Sequence, residues 1–143
     1  RIDWDVEGHQ LYDTNATDRR NRVLLRLQAK YPAIQTSLTL PGWITGLQGN
    51  SQRLMAATIA AGVRVDMVNL MAMSFGPNNI RDYVRPSTLS QAVIMTYNAA
   101  EKQLQGWYPN KTPSQINAMM GITPMIGVND DGTTFTRAKY GAA

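Results

Sequence analysis

Four times along the chain a strand-like run gives way to a stretch with helical periodicity, and that alternation most narrows the possible folds. The first strand is read at Ile2 to Glu7, where Ile2, Trp4 and Val6 alternate with Asp3, Asp5 and Glu7. A helix from about Thr17 to Tyr31 follows, with Val23, Leu24, Leu27 and Tyr31 along one face, and Pro32 stops it. The second strand spans Gln35 to Leu40 and is closed by Pro41-Gly42. Asn50 or Ser51 caps the next helix, whose apolar face carries Leu54, Met55, Thr58 and Ile59, and Gly62 ends it. The third strand, Val65 to Phe75, is nearly all apolar, as a strand buried on both faces would be. Beyond the loop Gly76 to Asn79, a long helix runs from about Ser87 to Gly106. A short helix opens at Thr112-Pro113, with Gln115 completing a capping box, and Gly121 closes it. The fourth strand, Ile122 to Val128, leads into the turn Asn129 to Gly132.

Strands separated by helices imply a parallel sheet with right-handed crossovers, either doubly wound or a (β/α) barrel. No Gly-rich phosphate loop follows any strand, which argues against a nucleotide-binding sheet and favours the barrel. A complete (β/α)8 TIM barrel takes about 250 residues and eight strands. The 143 residues here supply about half of one, read as a single partial barrel domain over residues 1–143. An isolated half would expose two sheet edges, so stable folding is expected only within a longer chain or by pairing with another half.

Composition narrows the function. The apolar share of 43% and charged share of 17% are ordinary for a globular protein. No run approaches the roughly 18 apolar residues of a membrane helix, so no membrane partner is expected. The net charge of +4 is mild, and Arg19, Arg20 and Arg22 form the one basic cluster, on what reads as an exposed helix start. Without a basic stripe and interleaved aromatics, no nucleic-acid partner is expected either. The absence of cysteine removes disulfides, zinc thiolates and thiol nucleophiles.

Because side chains alternate along a strand, Asp3, Asp5 and Glu7 share one face, which in a closed barrel is the interior. Three buried carboxylates in a row are too costly to be packing residues. A carboxylic acid at the C-terminal edge of a barrel strand suits a general acid, and Glu7, followed by Gly8, lies nearest that edge. Mg²⁺ or Ca²⁺ binding is the competing use of such a row, with no supporting ligand cluster elsewhere in the sequence. Spacing alone does not choose between reactions.

The segment Ile2-Asp3-Trp4-Asp5-Val6-Glu7 resembles the strand-four signature of family 18 glycoside hydrolases, Asp-Gly-x-Asp-x-Asp-x-Glu, with Arg1 where the family usually has Gly. Val68 to Met73 resembles the family's strand six, Gly121 to Gly127 its strand seven, and Leu40-Pro41 fits the end of strand five. On that resemblance the chain covers strands four to seven of the barrel. It implies hydrolysis of β-1,4 bonds between N-acetylglucosamine units of chitin or chito-oligosaccharides, with retention and with the substrate's acetamido group as nucleophile. Glu7 would protonate the leaving oxygen and then activate water, Asp5 would orient the acetamido group, and Asp3 would act on Asp5 from behind. No metal and no organic cofactor are implied, and a secreted enzyme is.

Strand six departs from the family pattern. Met71 matches a Met that packs against the sugar, but Met73 stands where a Tyr hydroxyl is usual and Ser74 where Asp is usual. A thioether cannot donate that hydrogen bond. The alternative is therefore a non-catalytic, chitin-binding protein of the same fold. Trp43 follows the second strand and suits stacking on a sugar face. Met125 and Asn129, near the end of the fourth strand, are further candidates for lining the cleft. Trp107 and Tyr108 are expected to pack against the barrel, and His9 to be a solvated loop residue.

Overall fold

A computed structural model describes residues 1–85 and 88–135. In chain order it contains β1 (Ile2–Asp5), α1 (Thr14–Lys30), β2 (Thr36–Trp43), β3 (Gly46–Leu47) and α2 (Gly49–Ala60). Then come β4 (Met67–Met71), α3 (Pro77–Tyr83), α4 (Leu89–Trp107), α5 (Pro113–Ala118), β5 (Met120–Thr123), β6 (Gly127–Val128) and β7 (Thr134–Phe135). A turn of 3-10 helix, Gly8–Leu11, separates β1 from α1. β1, β2, β4 and β5 lie side by side in that order, all parallel, with β3 folded back antiparallel on β2. The α/β class and the parallel sheet expected from the strand–helix alternation are both present. β6 and β7 form a separate small hairpin.

One face of the sheet carries the core. Val6, Leu38, Leu40, Val68 and Leu70 pack with Leu54 and Met55 of α2, Ala100 and Leu104 of α4, and Ile116 of α5. Burying these side chains is the main driving force holding helices to sheet. The opposite face holds Asp3 and Asp5, both exposed, with Met67, Asn69 and Met71 half-buried. This corrects the reading of the third strand. It spans five residues, Met67–Met71, and alternates between half-buried and buried positions, the buried ones facing the helices. Of the flanking apolar residues assigned to it, Val65 joins the main core, while Ala72 and Phe75 belong to a second cluster with Ile44, Ile80, Val84, Leu89 and Ala92.

Other boundaries move for local reasons. β2 does not stop at Leu40 but runs through Pro41-Gly42 to Trp43, with Pro41 beside Met71. Gly42 is needed there for close approach, since a Cβ would sit 2.9 Å from Thr96 Cγ2 of α4 and 3.2 Å from the Met71 carbonyl. The fourth strand is split. Gly121 lies inside β5 rather than ending a helix, and Gly127–Val128 pairs with β7 instead. α2 starts at Gly49, before the expected caps, and the Asn50 side chain accepts from Arg53. The expected start of the long helix at Ser87 lies outside the described residues, and Thr88 caps it by accepting from the Gln91 N–H at 3.2 Å. The capping box at α5 is as read, with Gln115 N–H donating to Thr112 Oγ1 at 3.3 Å and Thr112 N–H to Gln115 Oε1 at 2.8 Å.

The α1 face is also corrected. Its buried positions are Thr17, Arg20, Asn21 and Leu24, while Val23 and Tyr31 are exposed. Polar pairing decides the rotation, because Thr58 of α2 donates to Asn21 Oδ1 at 3.1 Å inside the helix–helix contact. Arg20 is therefore not part of an exposed basic cluster. Its guanidinium lies 5.5 Å from the centre of the Trp4 ring, and burial pulls its pKa down against the opposing charge of Asp13. Among the described residues, no helix is long and apolar enough to cross a membrane.

The tight seat of Gly42 gives a direct test. Gly42→Ala should destabilise the protein by about 1–3 kcal/mol through overpacking against α4. Denaturant unfolding of the two proteins would read this as a lower midpoint at unchanged slope.

Candidate active site

β1 sets the site by its register. Asp3 lies opposite Ser37 and Asp5 opposite Thr39, with all four on strands whose other faces are buried against the helices. Past the strand, the Val6 N–H still donates to the Thr39 carbonyl at 3.0 Å, and Glu7 stays extended at φ −143° and ψ 177°. The alternation therefore carries through to Glu7. Carboxylates two residues apart on such a strand are spaced by roughly 7 Å. Gly8, at φ 55°, then turns the chain into the 3-10 helix, and the Glu7 carbonyl accepts from the Gln10 N–H at 3.2 Å.

The three carboxylates are not equivalent. Asp3 accepts on both oxygens, from the Ser37 hydroxyl at Oδ1 and from Thr39 Oγ1 at Oδ2, the latter at 2.9 Å. Asp5 and Glu7 are exposed, and their carboxylates have no hydrogen bond or ion pair among the described residues. The burial expected of the row is that of a closed barrel's interior; in this sheet, with its four parallel strands, the Trp4 and Val6 side of the segment is packed and the carboxylate side is open. No grouping of three or more acidic or imidazole side chains among the described residues is arranged to hold a metal ion.

The polar contacts continue across the sheet. Thr39 Oγ1 accepts from Asn69 Nδ2 at 3.2 Å, and Asn69 Oδ1 accepts from Thr123 Oγ1 at 3.0 Å. One line of side chains thus joins β1, β2, β4 and β5. Gly121 makes room for it, since a Cβ there would lie 2.9 Å from Asn69 Oδ1. Sequence reading missed Ser37, Thr39, Asn69 and Thr123. The available signal was a polar residue at alternate positions of otherwise apolar strands, in Thr36–Leu40 and Met67–Met71.

The remaining candidates sit toward the C-terminal ends of the strands. Met71 is two residues beyond Asn69 in β4, on the same face, and half-buried, as are Met73 and Met125. Trp43 ends β2 with its ring 5.9 Å from that of Phe75. With Ile44, Thr45, Asn79, Tyr83 and Met95 it lines a surface depression. Asn129 is only 4% exposed and its amide is spent on backbone. It accepts from the Ser74 N–H at 3.1 Å and donates to the Met125 carbonyl at 3.2 Å. Ser74 is held at φ 50°, a left-handed conformation that costs a side-chain-bearing residue energy and that this hydrogen bond helps to fix. His9 is exposed, and Trp107 and Tyr108 pack against the main core, as read from the sequence.

A second tie holds the same loop. Asp131 Oδ2 accepts from the Gly76 N–H at 2.6 Å, and Oδ1 from the Thr133 N–H at 2.9 Å. Burial works against this carboxylate, but the Thr133 hydroxyl and the two N–H groups outweigh it and hold the carboxyl below the usual range.

No protein-family model matches the chain. It is 32% identical over 139 residues, 90% of its length, to a probable bifunctional chitinase/lysozyme of Escherichia coli K12, of which it spans 15%. It is equally 32% identical over 139 residues to endochitinase 11 of Metarhizium anisopliae, of which it spans 26%. Among solved structures, the catalytic domain of a hyperthermophilic chitinase from Pyrococcus furiosus superposes with a TM-score of 0.76 at 34% identity. That match covers 94% of this chain and 40% of the other. A catalytic-site mutant of active domain 2 of a Pyrococcus furiosus chitinase, complexed with chito-oligosaccharides, gives 0.72 at 31% identity, with the same 94% and 40% coverage. The resemblance to chitinases read from the acidic strand is borne out by both kinds of match.

The Asp131 tie has a pH signature. A carboxyl whose folded-state pKa is depressed stabilises the fold above the unfolded value of about 4, and loses that contribution as pH falls through the folded value. Wild type should therefore melt higher than Asp131→Asn at pH 7, and the gap should close in more acidic buffer. A gap that persists unchanged in strong acid would show that the anchor does not depend on the charge.

Proposed function

We propose that this chain supplies the acid/base centre of a retaining chitin hydrolase, its four parallel strands serving as strands four to seven of a (β/α)8 barrel. The observation that carries this is the unequal partnering of the three carboxylates. Asp3 is held on both oxygens, whereas Asp5 and Glu7, further along the same face, keep theirs free for a substrate. Catalytic groups of such barrels gather at the C-terminal ends of the strands, where Glu7 stands.

In this scheme the 2-acetamido carbonyl of the bound sugar attacks the anomeric carbon while Glu7 protonates the departing glycosidic oxygen. Asp5 orients the acetamido group and stabilises the charge that develops on its nitrogen. Glu7 then takes a proton from water as that water opens the cyclic intermediate, which restores both the acid and the anomeric configuration. No metal or organic cofactor enters these steps. Met71 and Met125 offer apolar contact to the sugar rings, and Trp43 a stacking face. Asn129 serves the cleft at one remove, by fixing the backbone at Ser74 and Met125. Chitin is an insoluble polymer, so the enzyme is placed outside the cell that makes it.

The names and the bound chito-oligosaccharides of the similar proteins support the substrate class. Glu7→Gln keeps the side-chain shape and removes the transferable proton. In the intact protein it should lower hydrolysis of a fluorogenic chito-oligosaccharide by about 10²–10⁴-fold with little loss of binding. If wild type and variant both bind the sugar and neither hydrolyses it, the protein is a chitin-binding relative and the catalytic reading fails.

A further inference from the structure

We propose that Asn69 and Thr123 are positioning residues for Asp3, acting through Thr39; this rests on the reading of Asp3, Asp5 and Glu7 as the acid/base apparatus. The direction of the hydrogen bonds makes the case. Asp3 accepts on both oxygens, so Thr39 must spend its one hydroxyl hydrogen on Oδ2. Thr39 Oγ1 is left to accept, and Asn69 meets it with an amide N–H at 3.2 Å. That choice turns the Asn69 carbonyl oxygen toward β5, where the Thr123 hydroxyl donates to it at 3.0 Å. Every donor therefore points the same way, from β5 toward β1.

A threonine hydroxyl is a rotor. With an amide donor against its oxygen, the orientation that gives its hydrogen to Asp3 is the favoured one. Asp3 is then fixed between Thr39 and Ser37, and Asp5 is the carboxylate left to meet the substrate. The space for Asn69 is itself specified, since any side chain at Gly121 would meet Asn69 Oδ1. A network that served only to join strands would need no common direction and no terminus on a carboxylate of the site. Groups that orient metal ligands from the second layer change activity by about 10–100-fold when removed, and a carboxylate oriented in the same way is expected to respond on a similar scale.

The test uses the intact protein and chito-oligosaccharide hydrolysis, comparing wild type, Glu7→Gln, Thr39→Val, Asn69→Leu and Thr123→Val. The value of kcat should fall by about tenfold or more in Thr39→Val, less in Asn69→Leu and least in Thr123→Val, with KM within about twofold of wild type. Thr39→Ser, which keeps the hydroxyl, should retain most of the activity. The double variant Thr39→Val/Asn69→Leu should be no slower than Thr39→Val alone, because the second change acts through the first. Unchanged kcat, a change confined to KM, or additive losses would overturn the proposal while Glu7→Gln still upheld the catalytic reading. Should Asn69→Leu not fold, the pair Thr39 and Thr123 decides by the same criterion, since Thr123 is exposed and its substitution by Val disturbs no packed side chain of the core. A wild type no faster than Glu7→Gln would overturn the reading of the site itself, and this proposal with it.

Discussion

A parallel strand shows alternate side chains to the two faces of its sheet, and β1 with its extended continuation to Glu7 assigns Trp4 and Val6 to the helices and Asp3, Asp5 and Glu7 to the opposite side. The pairing of β1 with β2 holds that division in place. Asp3 beside Ser37 and Asp5 beside Thr39 are the in-register partners. A slip of one residue would turn the carboxylates into the apolar core and Val6 into water. The cost of that exchange is what lets a short strand fix the carboxylates on one face. The hydroxyls on Asp3 lock the same register from the polar side.

The two faces are thus built by different forces. Beneath the sheet, Leu38, Leu40, Val68 and Leu70 are fully buried against α2, α4 and α5, a contact that is non-directional and tolerant of detail. Above it, the contacts are few, directional and polar, and each fixes where one hydrogen points. At the ends of the strands a third arrangement takes over. Asn129 and Asp131 reach across from the β6–β7 segment to hold Ser74 and Gly76, so the backbone following β4 is set by side chains some 55 residues away.

The acidic strand was legible because it combines two strong local signals, period-two alternation and a charge type that does not belong in a core. The α5 capping box was legible for the same reason, since its partners lie three residues apart. The line from Asp3 to Thr123 was not, because its links join residues 30 to 54 apart and each member alone reads as a neutral strand residue. Arg20 misled because charge normally marks an exposed face, whereas here the Trp4 ring and the Asn21–Thr58 pair turn that face inward. Pro41-Gly42 misled in the opposite sense. The pair reads as a turn, yet the strand passes through it, and Gly42 serves the approach of α4. Asn129 reads from the sequence as a cleft residue, whereas the structure shows its amide bonded to the backbone on two sides.

In the proposed enzyme the carboxylates divide their labour, with Asp3 held by the protein and Asp5 and Glu7 left for the substrate. The crystal structure of the intact Glu7→Gln protein with a bound chito-oligosaccharide tests this division most directly. The sugar's acetamido group should lie against Asp5, the glycosidic oxygen within hydrogen-bond reach of the side chain at position 7, and Asp3 should still be on Ser37 and Thr39. A sugar bound away from this face, or one whose acetamido group is taken by Asp3 after it has left Thr39, would contradict it.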